Sequence, residues 1–200
     1  MDLCLCSLVL LLSWPLWAII SILIRLDSPG PVVFLQERVG KDGQRFRMYK
    51  FRTMHSGLDH TAHEAFMRSF VNGQSGEDGM DDGVHKPFEN SQVTRIGRFL
   101  RRSSLDELPQ LINVLRGDMS LVGPRPNVPW EVEEYQPWHR RRLKVLPGMT
   151  GLAQVRGRSC LSFDDIVECD IEYIEQQGLL LDLKILGWTI PAVLLGPGAS

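Results

Sequence analysis

Apolar positions open the chain as one block. From Leu3 to Ile24 no residue is charged across 22 positions, about the ~20 that a helix needs to cross a bilayer. Ser13-Trp14-Pro15 places a proline near the centre of that block. Proline removes a backbone hydrogen bond and kinks a helix, so the pattern allows either a kinked span or a helix that turns back to the side it entered. Asp2 stands where a secretion signal would carry Lys or Arg, and no small-residue cleavage site follows before Arg25, which argues against a cleaved leader.

The pattern then shortens. Ser28-Pro-Gly-Pro31 breaks the helix, and the runs Val32–Leu35 and Phe46–Phe51 flank the turn residues Lys41-Asp42-Gly43, which predicts a short β-hairpin. The stretch from Asn72 to Gly83 is rich in glycine and acid and reads as a loop. From Val93 to Leu100, Ile96, Phe99 and Leu100 share one face with Arg95, Arg98, Arg101 and Arg102 around them, the pattern of a basic amphipathic helix at a membrane surface. Leu108, Leu111, Ile112 and Leu115 repeat at helical spacing. Leu179 to Leu195 carries only Asp182 and Lys184 as charges and is interrupted by Pro191, which predicts an interfacial or core helix. These elements describe an α+β fold, mostly helical: residues 1–27 form the membrane helix and 28–200 one compact domain with a short hairpin.

Two hundred residues with 44% hydrophobic content suffice for one core. A net charge of −2 does not suit a nucleic-acid binder. Arg25, Arg38, Lys41, Arg45, Arg47, Lys50 and Arg52 follow the apolar block, which places the main domain in the cytoplasm by the positive-inside rule. Cys4, Cys6, Cys160 and Cys169 lack metal or disulfide spacing, so reduced, buried thiols are expected. His55, His60 and His63 lack metalloprotease spacing. Asp78, Asp82, Gly83 and Glu89 match parts of a calcium loop, but Met80 takes a ligand position and Pro87 falls inside, so calcium is rejected.

Candidate chemistry centres on Ser104-Leu-Asp-Glu-Leu-Pro109, where Asp106 and Glu107 stand at a helix mouth just after Arg101 and Arg102. With Asp106 as the N-cap, Pro109 falls in the first turn, whose amides have no intrahelical partner. The bland alternative is that Ser104 and Glu107 form a capping box and Asp106 only complements the helix dipole. Further on come the turn Gly123-Pro-Arg-Pro126, the basic cluster Arg140, Arg141, Arg142 and Lys144, the turn Pro147-Gly-Met-Thr-Gly151, and the pair Gly157-Arg158. A basic cluster is usually a solvated face or a contact to lipid headgroups. A carboxylate pair among arginines beside a membrane element suggests phosphate chemistry on a lipid, in which a carboxylate attacks phosphorus and cations neutralise the developing charge.

At these residues the chain resembles the bacterial sugar transferases, the monotopic phosphoglycosyl transferases that start lipid-linked glycan assembly. The resemblance is carried by Ser28-Pro-Gly-Pro-Val-Val-Phe34, Gln36-Glu-Arg-Val-Gly40, Tyr49-Lys-Phe-Arg-Thr-Met54, Thr94-Arg-Ile-Gly-Arg98, Ser104-Leu-Asp-Glu-Leu-Pro-Gln-Leu111, Gly117-Asp-Met-Ser-Leu-Val-Gly-Pro-Arg-Pro126 and Pro147-Gly-Met-Thr-Gly-Leu-Ala-Gln-Val155. It implies a two-step enzyme in which Asp106 takes a phosphosugar from a UDP-sugar, releases UMP and passes the phosphosugar to polyprenol phosphate. Glu107 becomes the partner carboxylate, assisting proton transfer or metal placement, with Mg²⁺ held mainly by Asp106 and substrate phosphates. Arg101, Arg125 and Arg158 take phosphate-binding roles, with Lys50 of the Tyr49–Met54 motif as a further candidate. Ser13 and Pro15 mark the break of a re-entrant membrane helix, which implies a monotopic protein among membrane lipids on the cytoplasmic face of the bacterial inner membrane. The length matches the family's minimal catalytic form, although the basic-aromatic stretch usual before the membrane helix is missing. Homo-oligomerisation stays open. Two other readings remain: a membrane scaffold without activity, and a glycosyltransferase that cleaves the sugar C–O bond, for which no Asp-x-Asp motif is present.

Overall fold

The computed structural model describes residues 1–55, 61–73, 92–157 and 161–195. The loop expected beyond Gly73, the rejected calcium pattern, His60, Cys160 and Arg158 lie outside the described residues. The apolar block forms α1, Asp2–Asp27, a single 26-residue helix with Pro15 in its interior. It is long and apolar enough to cross a membrane, with a mean hydropathy of 2.3. Leu11, Leu12 and Trp14 are strongly exposed along its middle.

Both ends of α1 are tied to the rest of the chain. At the start, the Asp2 carboxylate accepts from Ser120 Oγ at 2.7 Å and from the Leu121 amide at 3.3 Å, while Cys6 enters a core shared with Met119, Tyr173 and Ile185. At the end, Asp27 accepts from the Ile96 amide at 2.9 Å, and Ile20 and Ile24 pack with Phe51 and Leu100. The buried Arg52 guanidinium closes this end by donating to the carbonyls of Ser28 and Pro29 and to Ser28 Oγ. A cation there satisfies orphan carbonyls and opposes the negative end of the helix dipole.

The expected hairpin pairs β1, Val33–Val39, with β2, Arg45–Phe51, in the register Val33↔Phe51 to Val39↔Arg45. Its turn, Lys41–Gly43, uses left-handed backbone at Asp42 and Gly43, where φ is 55° and 78°. After α2, Thr61–Val71, the amphipathic stretch forms α3, Arg95–Arg102, capped by the Thr94 hydroxyl accepting from the Gly97 amide. Leu100 is buried and Phe99 is 59% exposed, so the apolar face expected to be shared divides between the core and the exterior. Gly97 is obligatory there, because a Cβ would collide with the Thr53 backbone.

Around the carboxylates the structure departs from expectation. Ser104 adopts left-handed backbone, φ 55°, an uncommon conformation for a residue with a side chain. Leu105–Glu107 form a single 3₁₀ turn, and helix α4 begins only at Gln110 and runs to Arg116. Asp106 is therefore not the helix cap, and no Ser104–Glu107 capping box forms. The physical reason lies at Pro109: the chain approaches the helix through tight bonds from the Leu108 amide to the Leu105 carbonyl and from Leu111 to Leu108, and the proline occupies the position before the helix where no amide is required.

A second sheet was not expected. β3, Ser120–Val122, pairs in parallel with β4, Gly148–Thr150, through Ser120↔Gly148 and Val122↔Thr150. The segment read as a turn at Pro147–Gly151 is thus a strand. Glycine makes the approach feasible, since a Cβ on Gly148 would overlap the Gly123 backbone. The remaining helices are α5, Pro129–Glu133; α6, Leu152–Arg156; α7, Phe163–Gln176; and α8, Leu179–Leu195, the last burying Ile185 and exposing Leu179, Leu180, Leu183 and Trp188. In the 3₁₀ turn His139–Lys144, Arg142 is 3% exposed and paired with Asp170 at 2.6 Å, so the basic cluster is not wholly a solvated face. Among the described cysteines Cys4 is exposed on α1, against the expectation of burial, while Cys6 is buried; all are free thiols.

Candidate active site

Four elements converge on the carboxylate pair. β2 supplies Lys50, the 3₁₀ turn Asp106 and Glu107, the end of α3 Arg101, and the loop leaving β3 Arg125. Asn113 of α4, fully buried, ties β2 to the helix that follows the 3₁₀ turn. Its Oδ1 accepts from the Tyr49 amide at 3.0 Å and its Nδ2 donates to the Arg47 carbonyl at 2.8 Å, fixing the strand just before Lys50 against the helix that follows Asp106. Sequence reasoning missed this residue, because a polar position in a helical stripe carries no mark of burial.

Lys50 Nζ lies 2.9 Å from Glu107 Oε1, and Arg125 reaches the same oxygen at 3.3 Å through Nη1 and 3.4 Å through Nη2. Arg101 Nε donates to Thr53 Oγ1 at 2.9 Å; burial lowers its guanidinium from the ordinary value, and the nearby Asp106 charge opposes that shift. Asp106 is 8% exposed, and among the described residues none donates a hydrogen bond to its carboxylate.

The two carboxylates titrate in opposite directions. Burial pushes Asp106 up to about 6, aided by the adjacent Glu107 charge and opposed by Lys50, Arg101 and Arg125. Burial acts on Glu107 too, but Lys50 and Arg125 outweigh it and hold that carboxyl at about 2. Lys50 is lowered by burial and by Arg125, with Glu107 restoring part of the difference. Two neighbouring carboxyls whose surroundings push them apart have different work to do. At neutral pH Asp106 is a largely ionised and comparatively basic carboxylate, while Glu107 is a fixed anion holding two cations.

Of the residues expected to form the site, Asp106, Glu107, Lys50, Arg101 and Arg125 come together, and Arg158 is outside the described residues. Ser13 and Pro15 lie within α1. Arg156, beside Arg158 in sequence, pairs with Glu172. The donor set suits Mg²⁺ in one respect: Asp106 presents oxygens to which none of the described residues donates, and this ion favours one or two carboxylates together with substrate phosphates.

A buried carboxylate ringed by cations beside an apolar surface helix defines a site for phosphate-group chemistry at a membrane. The chain belongs to the bacterial sugar transferase family, whose model matches residues 1–196. It is 42% identical over 178 residues to the galactosyl transferase CpsE of Streptococcus agalactiae serotype III, covering 88% of this chain and 37% of that protein. It is 39% identical over 198 residues to the exopolysaccharide production protein ExoY of Rhizobium meliloti, covering 99% and 85%. Over 202 residues it is 39% identical to the UDP-glucose:undecaprenyl-phosphate glucose-1-phosphate transferase of Caulobacter vibrioides, covering 97% and 68%.

Proposed function

We propose that this chain transfers a sugar-1-phosphate from a UDP-sugar to polyprenol phosphate and releases UMP, starting a lipid-linked glycan. The observation that carries the reading is the split between Asp106 and Glu107 within one ring of cations. An Asp106 oxygen attacks the sugar-bearing phosphorus, a P–O bond to that oxygen forms, and the P–O bond to the UMP phosphate breaks, its electron pair leaving on UMP. An oxygen of polyprenol phosphate then attacks the same phosphorus and returns the Asp106 carboxylate. Lys50, Arg101 and Arg125 balance the charge of the diphosphate as it enters. Glu107 keeps Lys50 and Arg125 charged and aimed before the substrate arrives. Asp106 would hold Mg²⁺ together with the substrate phosphates, and the ion would add further charge neutralisation.

The re-entrant, monotopic topology on the cytoplasmic face belongs to the same proposal, with residues 1–27 as the membrane helix and 28–200 as the catalytic domain. It is supported by the ties at both ends of α1, through Asp2 to Ser120 and Leu121 and through Asp27 to Ile96. A helix that crossed the bilayer would separate those ends. Pro15, midway between them, removes an amide where a bend would be needed. The proposal is tested with a panel of UDP-sugars and polyprenol phosphate in nanodiscs. UMP with a polyprenyl diphosphosugar is expected; UDP with a polyprenyl monophosphosugar would refute it.

A further inference from the structure

The loop that carries Arg125 has proline on each side, and Pro124 and Pro126 bring no amide donor. The carbonyls of residues 124–127 are nevertheless each held by a donor from elsewhere. The Pro124 carbonyl accepts from the Gly148 amide and the Asn127 carbonyl from the Val39 amide, both at 2.9 Å. Between them, the Arg125 carbonyl accepts from Arg142 Nη2 at 3.2 Å and the Pro126 carbonyl from Arg38 Nη1 at 3.0 Å.

Neither guanidinium is an ordinary surface charge. Arg142 pairs with the buried Asp170 of α7 and donates to Tyr135 Oη at 2.9 Å and Asn127 Oδ1 at 3.0 Å. Arg38 donates to Gln36 Oε1 at 2.6 Å, and its Nε is buried without a partner. Replacing a buried ion pair by apolar residues is often neutral or stabilising, so stability alone is a weak reason for Arg142 and Asp170 to be charged. What the pair does visibly is present an N–H to a loop carbonyl. The contacts from Arg125 to Glu107, at 3.3 and 3.4 Å, already lie at the long edge of hydrogen bonding, so a small shift of this backbone would break them.

We propose that Arg142, anchored by Asp170, and Arg38 are positioning residues that clamp the Gly123–Asn127 loop and thereby aim Arg125 at the reacting phosphates. The inference rests on the transferase reading only for what Arg125 touches in turnover. Hydrogen exchange on the full chain in nanodiscs needs no substrate. In Arg142→Lys, the peptide spanning 123–128 should exchange about tenfold faster or more while the β1–β2 hairpin keeps its protection. In UMP release, Arg142→Lys should lower kcat about tenfold alone and less than about twofold in an Arg125→Ala background, because both changes remove one function. Unchanged loop exchange in the folded variant, or equal losses in both backgrounds, overturns the proposal. If Arg142→Lys does not fold, Arg38→Lys leaves the Arg142–Asp170 pair intact and is read by the same two outcomes. A wild-type chain that releases no UMP from any UDP-sugar refutes the transferase reading instead, and loop exchange then decides the clamp.

Discussion

Replacing Asp106 by Asn should make the protein more stable while abolishing turnover. In the folded chain the Asp106 carboxyl sits at about 6, against an ordinary 3.8, chiefly because burial penalises its charge. Above pH 6 the folded state therefore carries an ionised group that the unfolded chain would hold more cheaply. At 1.36 kcal/mol per pK unit, a shift of about two units corresponds to about 3 kcal/mol at neutral pH. Asn has nearly the same shape and no charge, so up to that amount returns as stability, or about 6–12 °C in Tm for a chain of this size. The sign sets the pH window. A raised carboxyl makes the folded state bind its proton more tightly, so the wild type loses stability relative to the variant as pH rises from about 4 through 6. Thermal unfolding of both proteins in the same nanodiscs, followed by tryptophan fluorescence, should show the gap at pH 7.5 and its near disappearance at pH 4. A variant less stable than wild type at pH 7.5, or a gap of equal size at both pH values, would refute the electrostatic reasoning.

The remaining predictions concern the same residues and α1. UMP release should fall on an acid limb near pH 6 as Asp106 takes up a proton, and Lys50→Met should move that limb to higher pH, since Lys50 is the largest charge opposing the effect of burial on Asp106; a limb that stays in place or moves down contradicts the assignment. A single cysteine in an N-terminal extension, in a background with the native cysteines replaced by serine, should resist periplasmic maleimide in intact cells; labelling there would mean that α1 spans the membrane.

Periodicity made the long elements legible. The uncharged run to Ile24 became α1, and the alternation about Lys41–Gly43 became the hairpin. Parallel strands of three residues, β3 and β4, leave no periodic trace, and glycine in Pro147–Gly151 reads locally as a turn although it is there for close backbone approach. The start of α4 was misjudged because Pro109 fits both a first turn and the position before it, and only the bonds from Leu108 and Leu111 separate them. Arg142 looked like one of a solvated cluster because its partner, Asp170, is distant in sequence. Adjacent carboxylates announced the site, but the gathering of Lys50 and Arg125 on one Glu107 oxygen depends on three separate elements and is a tertiary fact.

If Asp106 carries the phosphosugar between donor and acceptor, a covalent adduct must accumulate on it when the acceptor is withheld. The most direct measurement supplies the enzyme with the UDP-sugar it uses and Mg²⁺, withholds polyprenol phosphate, and follows both UMP and the intact mass after rapid quenching. About one UMP per active site should appear, with the mass of one phosphosugar added to the protein and mapped to the peptide containing Asp106, as covalent catalysis requires. UMP that appears only when the lipid acceptor is also present, with no adduct at any quench time, would contradict the account and leave direct transfer between the two substrates.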